Sequence, residues 1–218
     1  MRPGALPRSF YLRPTEEVAR DLLGKTLVRE IRGRIAAVRI VEVEAYLGVN
    51  DPACHTFRGR RTPRVEPMWG IGGLAYVYFT YGMHHCVNVV TRSEGEPEAV
   101  LIRAGQPVAG VESMKRRRPS KTKTERLASG PACLCTALDI DRRHSGLDLV
   151  AGKSLWIGEG ERVAGEVAVG AGRIGVDYAG EAASWPLRFL FLGHPSVSVP
   201  PNFEGKIRPI RKKKSISA

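Results

Sequence analysis

Five segments in the first half of the chain, 26–31, 35–46, 74–80, 85–91 and 99–104, are rich in Val, Ile and aromatic residues and bounded by Gly, Pro and charged positions. That is the pattern of β-strands, and their close succession predicts a mainly antiparallel sheet. Ahead of them, Thr15 is placed to cap a helix with Glu16 and Glu17 in its first turn, Val18, Ala19, Leu22 and Leu23 as its apolar stripe, and Gly24 as its stop. Residues 107–118 read as a helix ending in a basic run. Ser129-Gly130-Pro131 reads as a helix start with proline at the first position and Leu134, Ala137 and Leu138 facing inward. Residues 156–174 and 187–192 supply further strands. Between Gly48 and Gly73 runs a loop of Arg, Pro and Gly, too long for a mere connection. No linker or repeat divides the chain, so residues 1–204 are expected to form one α+β domain, followed by a basic tail at 205–218.

The segment 67–91 carries no charge if its histidines are neutral, and its length alone would suit a membrane span. Its glycines, Asn88 and alternating tyrosines favour a buried hairpin instead. The four cysteines, Cys54, Cys86, Cys133 and Cys135, have neither zinc-site spacing nor the density of a disulfide framework, which fits a reducing compartment. His84, His85 and Cys86 do not make a metal site, because neighbouring strand residues point to opposite faces. No metal or cofactor is expected. The N-terminal residues have no apolar core of a signal peptide, which predicts a cytoplasmic protein, nucleoid-associated in a bacterium or nuclear in a eukaryote.

Charge changes the picture most. The chain of 218 residues carries a formal charge of +12 and a pI near 10.0, the electrostatic footprint of a nucleic-acid partner. Half of its 34 basic residues lie in three clusters. One holds Arg58, Arg60, Arg61 and Arg64; a second spans Lys115 to Arg126 and includes Lys121 and Lys123; a third spans Lys206 to Lys214. Such patches either solvate loops and a tail or meet phosphates. A helix start at Pro131, close behind the second cluster, offers free amide N–H groups to a phosphate.

The candidate chemistry lies in the strand Val41-Glu-Val-Glu-Ala-Tyr46. Glu42, Glu44 and Tyr46 share one strand face with Val38 and Ile40, so the two carboxylates are partly buried and need partners or a purpose. Their backbone positions are roughly 6.6–7 Å apart, which overlaps the roughly 6.5–9.5 Å between the acid and base of inverting glycoside hydrolases. Tyr76 and Tyr78 share a face of the next strand, where packing is the ordinary role of an aromatic residue. Tyr81, at the turn beside Gly82, is exposed and shaped to wedge into a duplex.

Taken in order, VEVEAY at 41–46, the following His55, AYVYFTYGM at 75–83, Asn88, VLIRAG at 100–105, SGPACL at 129–134 and RIGVDYAGE at 173–181 resemble the alkyladenine (3-methyladenine) DNA glycosylase family, over residues from about 8 to about 199. The resemblance implies one α+β domain: a curved, mainly antiparallel sheet core flanked by helices, with a protruding β-hairpin. It implies that Glu44 is the general base and that Arg103 helps hold the attacking water. Tyr46 would lie on one face of a flipped base with His55 and Tyr78 on the other, Tyr81 would fill the gap left in the duplex, and Asn88 would refuse guanine. Arg58, Arg60, Arg61, Lys121 and Lys123 would contact phosphates. The pattern departs at Cys133, where the family usually has a basic residue.

The function expected is therefore a monofunctional DNA glycosylase in base excision repair. It acts as a monomer on duplex DNA containing alkylated or deaminated purines and leaves an abasic site, with Glu42 a structural neighbour. The competing readings are a catalytically silent basic nucleic-acid-binding domain and a hydrolase of nucleosides or glycans that uses the Glu42–Glu44 pair.

Overall fold

The computed structural model describes residues 4–161 and 163–201. The third basic cluster and the tail at 205–218 lie outside them. The chain builds α1 (Arg8–Tyr11), α2 (Thr15–Leu22), β1 (Thr26–Ile31), β2 (Arg34–Tyr46), β3 (Ala75–Thr80), β4 (His84–Thr91), β5 (Glu98–Ala109), α3 (Val111–Arg117), α4 (Pro131–Leu138), β6 (Leu155–Gly158), β7 (Ala168–Ala171) and β8 (Arg188–Phe191). All eight strands join one antiparallel sheet in the order β3-β4-β5-β2-β1-β6, with β8 on the far half of β2 and β7 on β8. The sheet curls into a half-barrel against the helices, the single-domain α+β architecture expected.

β2 is the spine. Its first half pairs with β1 and its second half with β8, while β5 runs along its other edge throughout. Every residue from Ala36 to Ala45 is buried, on both faces of the strand. The polar alternation at Glu42 and Glu44 therefore marks no solvent face. Three irregularities break the β2–β5 register, at Ala37/Val38, Ile40/Glu42 and Glu42/Val43. At the last, Glu42 pairs with Ala104 and Val43 with Ile102, which leaves Arg103 as the extra residue of a β-bulge. A bulge re-aims the side chain it carries, and Arg103 turns toward both carboxylates.

Three local expectations are corrected. Thr15 is the first helical residue of α2 rather than its cap, and its hydroxyl bonds Thr91 and Glu98 instead. Residues 106–109 continue β5, and the helix begins only at Val111, after Gly110. Gly110 is left-handed with φ +69°, and a Cβ there would come within 2.4 Å of the Ile35 carbonyl oxygen. The strand expected at 99–104 accordingly runs from Glu98 to Ala109, while the span 156–174 supplies strands as expected, β6 and β7. No helix among the described residues is long and apolar enough to cross a membrane.

Glu42 is fully buried and joins three parts of the sheet. Its Oε1 accepts from Arg103 Nε on β5 at 3.2 Å and from Arg188 Nη1 on β8 at 2.9 Å, and its Oε2 accepts from the Ser198 amide at 2.6 Å. Removing one partner of such a network strands the others without water. Glu42→Ala is expected to lower stability by about 3–5 kcal/mol, measured by urea unfolding.

Candidate active site

Glu44 projects from β2 two residues beyond Glu42 and is likewise fully buried. Its Oε2 accepts from the Tyr46 hydroxyl at 2.9 Å and from Arg103 Nη1 at 3.2 Å; its Oε1 accepts from the backbone N–H of Ile174 at 2.8 Å. An ionised carboxylate has about four acceptor positions, so about one remains open. Glu42 likewise accepts from three donors, two arginines and an amide, so the count alone does not separate the two carboxylates. Burial works against the Arg103 charge, but Glu44 and Glu42 outweigh it and hold Arg103 above the ordinary arginine value.

Tyr46, Arg103 and Ile174 line a cavity of about 360 Å3 in front of Glu44. His55, Tyr76, Tyr78, Asn88 and Tyr81 line it too, so the residues that the sequence scatters over 58 positions of loop and hairpin converge on one hollow. His55 reaches it from the long loop, which winds into three short 3-10 turns. Its ring meets Tyr78 edge-on at 4.7 Å between centroids, and its Nδ1 lies 2.9 Å from the Tyr76 hydroxyl. Tyr76 is buried core, as its strand position suggests, yet it also orients His55. Asn88, paired with Tyr76 across β3 and β4, donates its amide to the Tyr76 carbonyl at 3.0 Å.

Burial, aided by the cations Arg64 and Arg60, pushes His55 down to about 4. The imidazole is neutral at pH 7 and can stack against a cation without repelling it. Burial raises Tyr46 well above its ordinary value, with Glu44 adding to the effect, and burial raises Tyr78 as well. Both phenols keep their protons.

At the mouth, Thr80-Tyr81-Gly82-Met83 closes the β3–β4 hairpin with positive φ at both central residues, +50° for Tyr81 and +68° for Gly82. Such a turn favours Asn-Gly; a bulky aromatic residue there is strained. Tyr81 is 84% exposed, and Met83 beside it is 70% exposed. Across the mouth Tyr178, also exposed, donates its hydroxyl to the Ala53 carbonyl at 3.1 Å.

The candidate phosphate contacts behave differently from one another. Arg58 and Arg60 are exposed, as are Lys121 and Lys123 on the approach to α4. Arg61 is engaged by Glu66 through Nε at 3.0 Å and lies over the Trp69 ring. Pro131, at the start of α4, lines the cavity, and Arg118 lays its guanidinium Nη2 3.0 Å from Cys133 Sγ. A cation thus stands at the position where Cys133 departs from the resemblance, brought in from the end of α3. Among the described residues no group of three His, Cys, Asp or Glu side chains is placed to hold a metal ion.

The Methylpurine-DNA glycosylase family profile matches residues 9–195, nearly the whole of the described chain. The chain belongs to this family. It is 52% identical to a Methanocella arvoryzae protein named "Putative 3-methyladenine DNA glycosylase" over 193 residues, covering 88% of this chain and 95% of that one. Proteins of the same name from Carboxydothermus hydrogenoformans and Clostridium acetobutylicum are 51% and 47% identical, covering 88% and 89% of this chain and 98% and 97% of theirs. The enzyme is accordingly a DNA glycosylase, a hydrolase of DNA repair.

Sequence reasoning had singled out the RIGVDYAGE motif but not what its parts do. The Ile174 amide on Glu44 comes from 130 residues away, and a backbone donor leaves no signature in residue type. Tyr178 lies within that motif, though nothing in the motif states its role, and Arg188 lies outside every motif. His55 yields a measurable consequence. Its proton binds the folded state near pH 4 and the unfolded chain near 6.5. The stability it contributes is present above pH 6.5 and lost as pH falls from there toward 4. An NMR titration should place the His55 midpoint near 4, and His55→Gln should flatten the pH dependence of unfolding across that window.

Proposed function

We propose that this glycosylase flips alkylated and deaminated purine nucleotides out of duplex DNA into the cavity in front of Glu44 and hydrolyses the N-glycosidic bond there. The observation that carries the reading is the Glu44 carboxylate: buried, oriented by three donors, and left with an acceptor position beside a ring-lined hollow. A water on that position is aimed at the anomeric carbon. As the carbon–nitrogen bond breaks, the electron pair leaves with the purine, positive charge develops on the sugar, and Glu44 takes a proton from the attacking water. The products are free base and an abasic sugar. Arg103, which donates to Glu44 and lines the cavity, helps place the water.

Tyr46, His55 and Tyr78 supply the aromatic surfaces for the extruded base. A purine made cationic by alkylation gains about 0.5–2 kcal/mol of cation–π attraction over a neutral base, and its charge already makes it a good leaving group. Asn88, fixed by the Tyr76 carbonyl, places bulk where the exocyclic amine of guanine would lie. Tyr81, held out on a strained turn, fills the space vacated in the duplex. Arg58, Arg60, Lys121, Lys123 and Arg118 supply charge for phosphates; Arg61, engaged by Glu66, contributes less. The protein acts as a monomer.

The two-carboxylate hydrolase reading is disfavoured because two of the three donors to Glu42, Arg188 and Ser198, do not line the cavity, whereas all three donors to Glu44 do. Release of 3-methyladenine, 7-methylguanine, hypoxanthine and ethenoadenine from duplexes is the direct assay, and the charged bases should lead. Glu44→Gln should cut single-turnover excision by at least about 100-fold while leaving affinity for damaged duplex within a few-fold. Unchanged excision by that variant removes Glu44 from the mechanism. Tyr81→Ser should weaken binding to damaged duplex more than to the same strand unpaired; equal losses on both exclude wedging.

A further inference from the structure

Behind the cavity lies an ion pair that does not itself line it. Arg173 and Asp51 have fully buried side chains and meet as a fork on a fork, Nη1 to Oδ2 at 2.5 Å and Nη2 to Oδ1 at 2.8 Å. Neither borders the cavity. We propose that Asp51 and Arg173 are a positioning pair for the glycosylase reaction, which fixes Glu44 and Tyr46 in register with each other without contacting DNA. The proposal rests on the reading of Glu44 given above.

The remaining contacts of the pair explain how. Arg173 Nη1 also donates at 3.0 Å to the carbonyl of Ala45, the residue between Glu44 and Tyr46. Its guanidinium carbon lies 4.9 Å from the centroid of the Tyr46 ring. The residue that follows Arg173 is Ile174, whose amide is the donor to Glu44 Oε1. One side chain therefore grips the peptide link between the two site residues, packs against one of them, and sets the backbone that orients the other. Asp51 holds the arginine in place and is itself held, accepting from the Leu47 and Ala53 amides at 3.0 Å each. Arg173 Nη2 reaches the Ala182 carbonyl at 3.2 Å, which ties in the segment that carries Tyr178.

A purely stabilising role would not ask for these groups. Apolar residues of similar volume often match or exceed a buried ion pair in stability, whereas the planar fork of arginine imposes direction. Apart from the Ala182 contact, the directions imposed here end on the Ala45 carbonyl between Glu44 and Tyr46 and on the Tyr46 ring. A carboxylate displaced by a fraction of an ångström still leaves the basic surface free to bind DNA, but it misplaces the water.

The test compares Asp51→Asn, which keeps the shape but turns one of the two oxygens that accept from the Leu47 and Ala53 amides into a donor, with Arg173→Lys and Arg173→Ala. Excision of 3-methyladenine is followed under single turnover with enzyme in excess, so the rate constant does not depend on the folded fraction. Affinity for undamaged duplex and the urea midpoint are measured beside it. Asp51→Asn and Arg173→Lys are expected to slow excision by at least about 10-fold, with duplex affinity held within about 3-fold, as misplacement of catalytic groups does. Millimolar methylguanidinium should restore part of the Arg173→Ala rate, and methylammonium should not. Excision rates unchanged in Asp51→Asn and Arg173→Lys overturn the pair as a positioning device. So do losses of rate and affinity that fall in parallel with the urea midpoint. If Arg173→Ala does not fold, the isosteric Asp51→Asn decides alone. A wild-type protein that releases no base from any alkylated duplex overturns the reading of Glu44 itself, and the pair falls with it.

Discussion

Two carboxylates inside a protein core constrain nearly everything else in this fold. Removing an ionised carboxylate from water costs several kcal/mol unless charge and hydrogen bonds replace the solvent. Glu42 and Glu44 sit two residues apart in a stretch of β2 that is buried on both faces. Their donors come from residues 61, 146 and 156 positions away for Glu42, and 59 and 130 positions away for Glu44. The pairing of β8 with β2, the bulge in β5 at Arg103 and the approach of residues 174 and 198 all serve to deliver those donors. A different closure of the sheet would leave a charge unsatisfied in apolar surroundings.

The same chemistry, two residues apart, is put to different ends by its partners. Glu42 is bonded only by arginines and an amide, and acts as a fastener of the sheet. Glu44 shares Arg103 with it, but all three of its donors, Tyr46, Arg103 and Ile174, line the cavity. Arg103 links the two, so the fastener and the reactive group are one electrostatic unit. Around this unit the cavity is lined by rings that burial keeps uncharged: His55 without its second proton, Tyr46 and Tyr78 un-ionised. Neutral rings present π-faces to a cationic base and add no competing charge of their own.

Outside the cavity the logic turns from burial to exposure. The strained Tyr81 turn, the exposed Tyr178 and Pro131 at the start of α4 all line one cavity, and Arg58 and Arg60 of the long loop are exposed. Exposed aromatic rings and unpaired cations are costly or idle on an ordinary surface. They become useful where a polyanion with stacked bases arrives. Arg61 shows that charge counted in a sequence is not charge available, since Glu66 already occupies it.

Much of this was legible in the residues themselves. β1 spans the expected residues, and β2 to β4 lie within a residue of theirs, because β-branched and aromatic runs bounded by turn formers decide strand identity locally. Tyr81-Gly82 announced an exposed hairpin tip, and the ordered motifs carried the family. Legibility failed where a long-range partner decided the outcome: Thr15 gave up capping for Thr91 and Glu98, and residues 106–109 stayed in β5 because β2 pairs with them. Spacing alone left Glu42 and Glu44 as a matched pair, and only the donors brought by folding made them unlike. The sequence by itself determined which segments become strands, where charge collects and which family the motifs belong to, since each depends on neighbours along the chain. Tertiary structure alone decided which carboxylate is held by cavity-lining groups, which arginines find carboxylate partners and what holds Glu44 in place, because a buried charge is defined by groups that the sheet brings together from opposite ends of the chain.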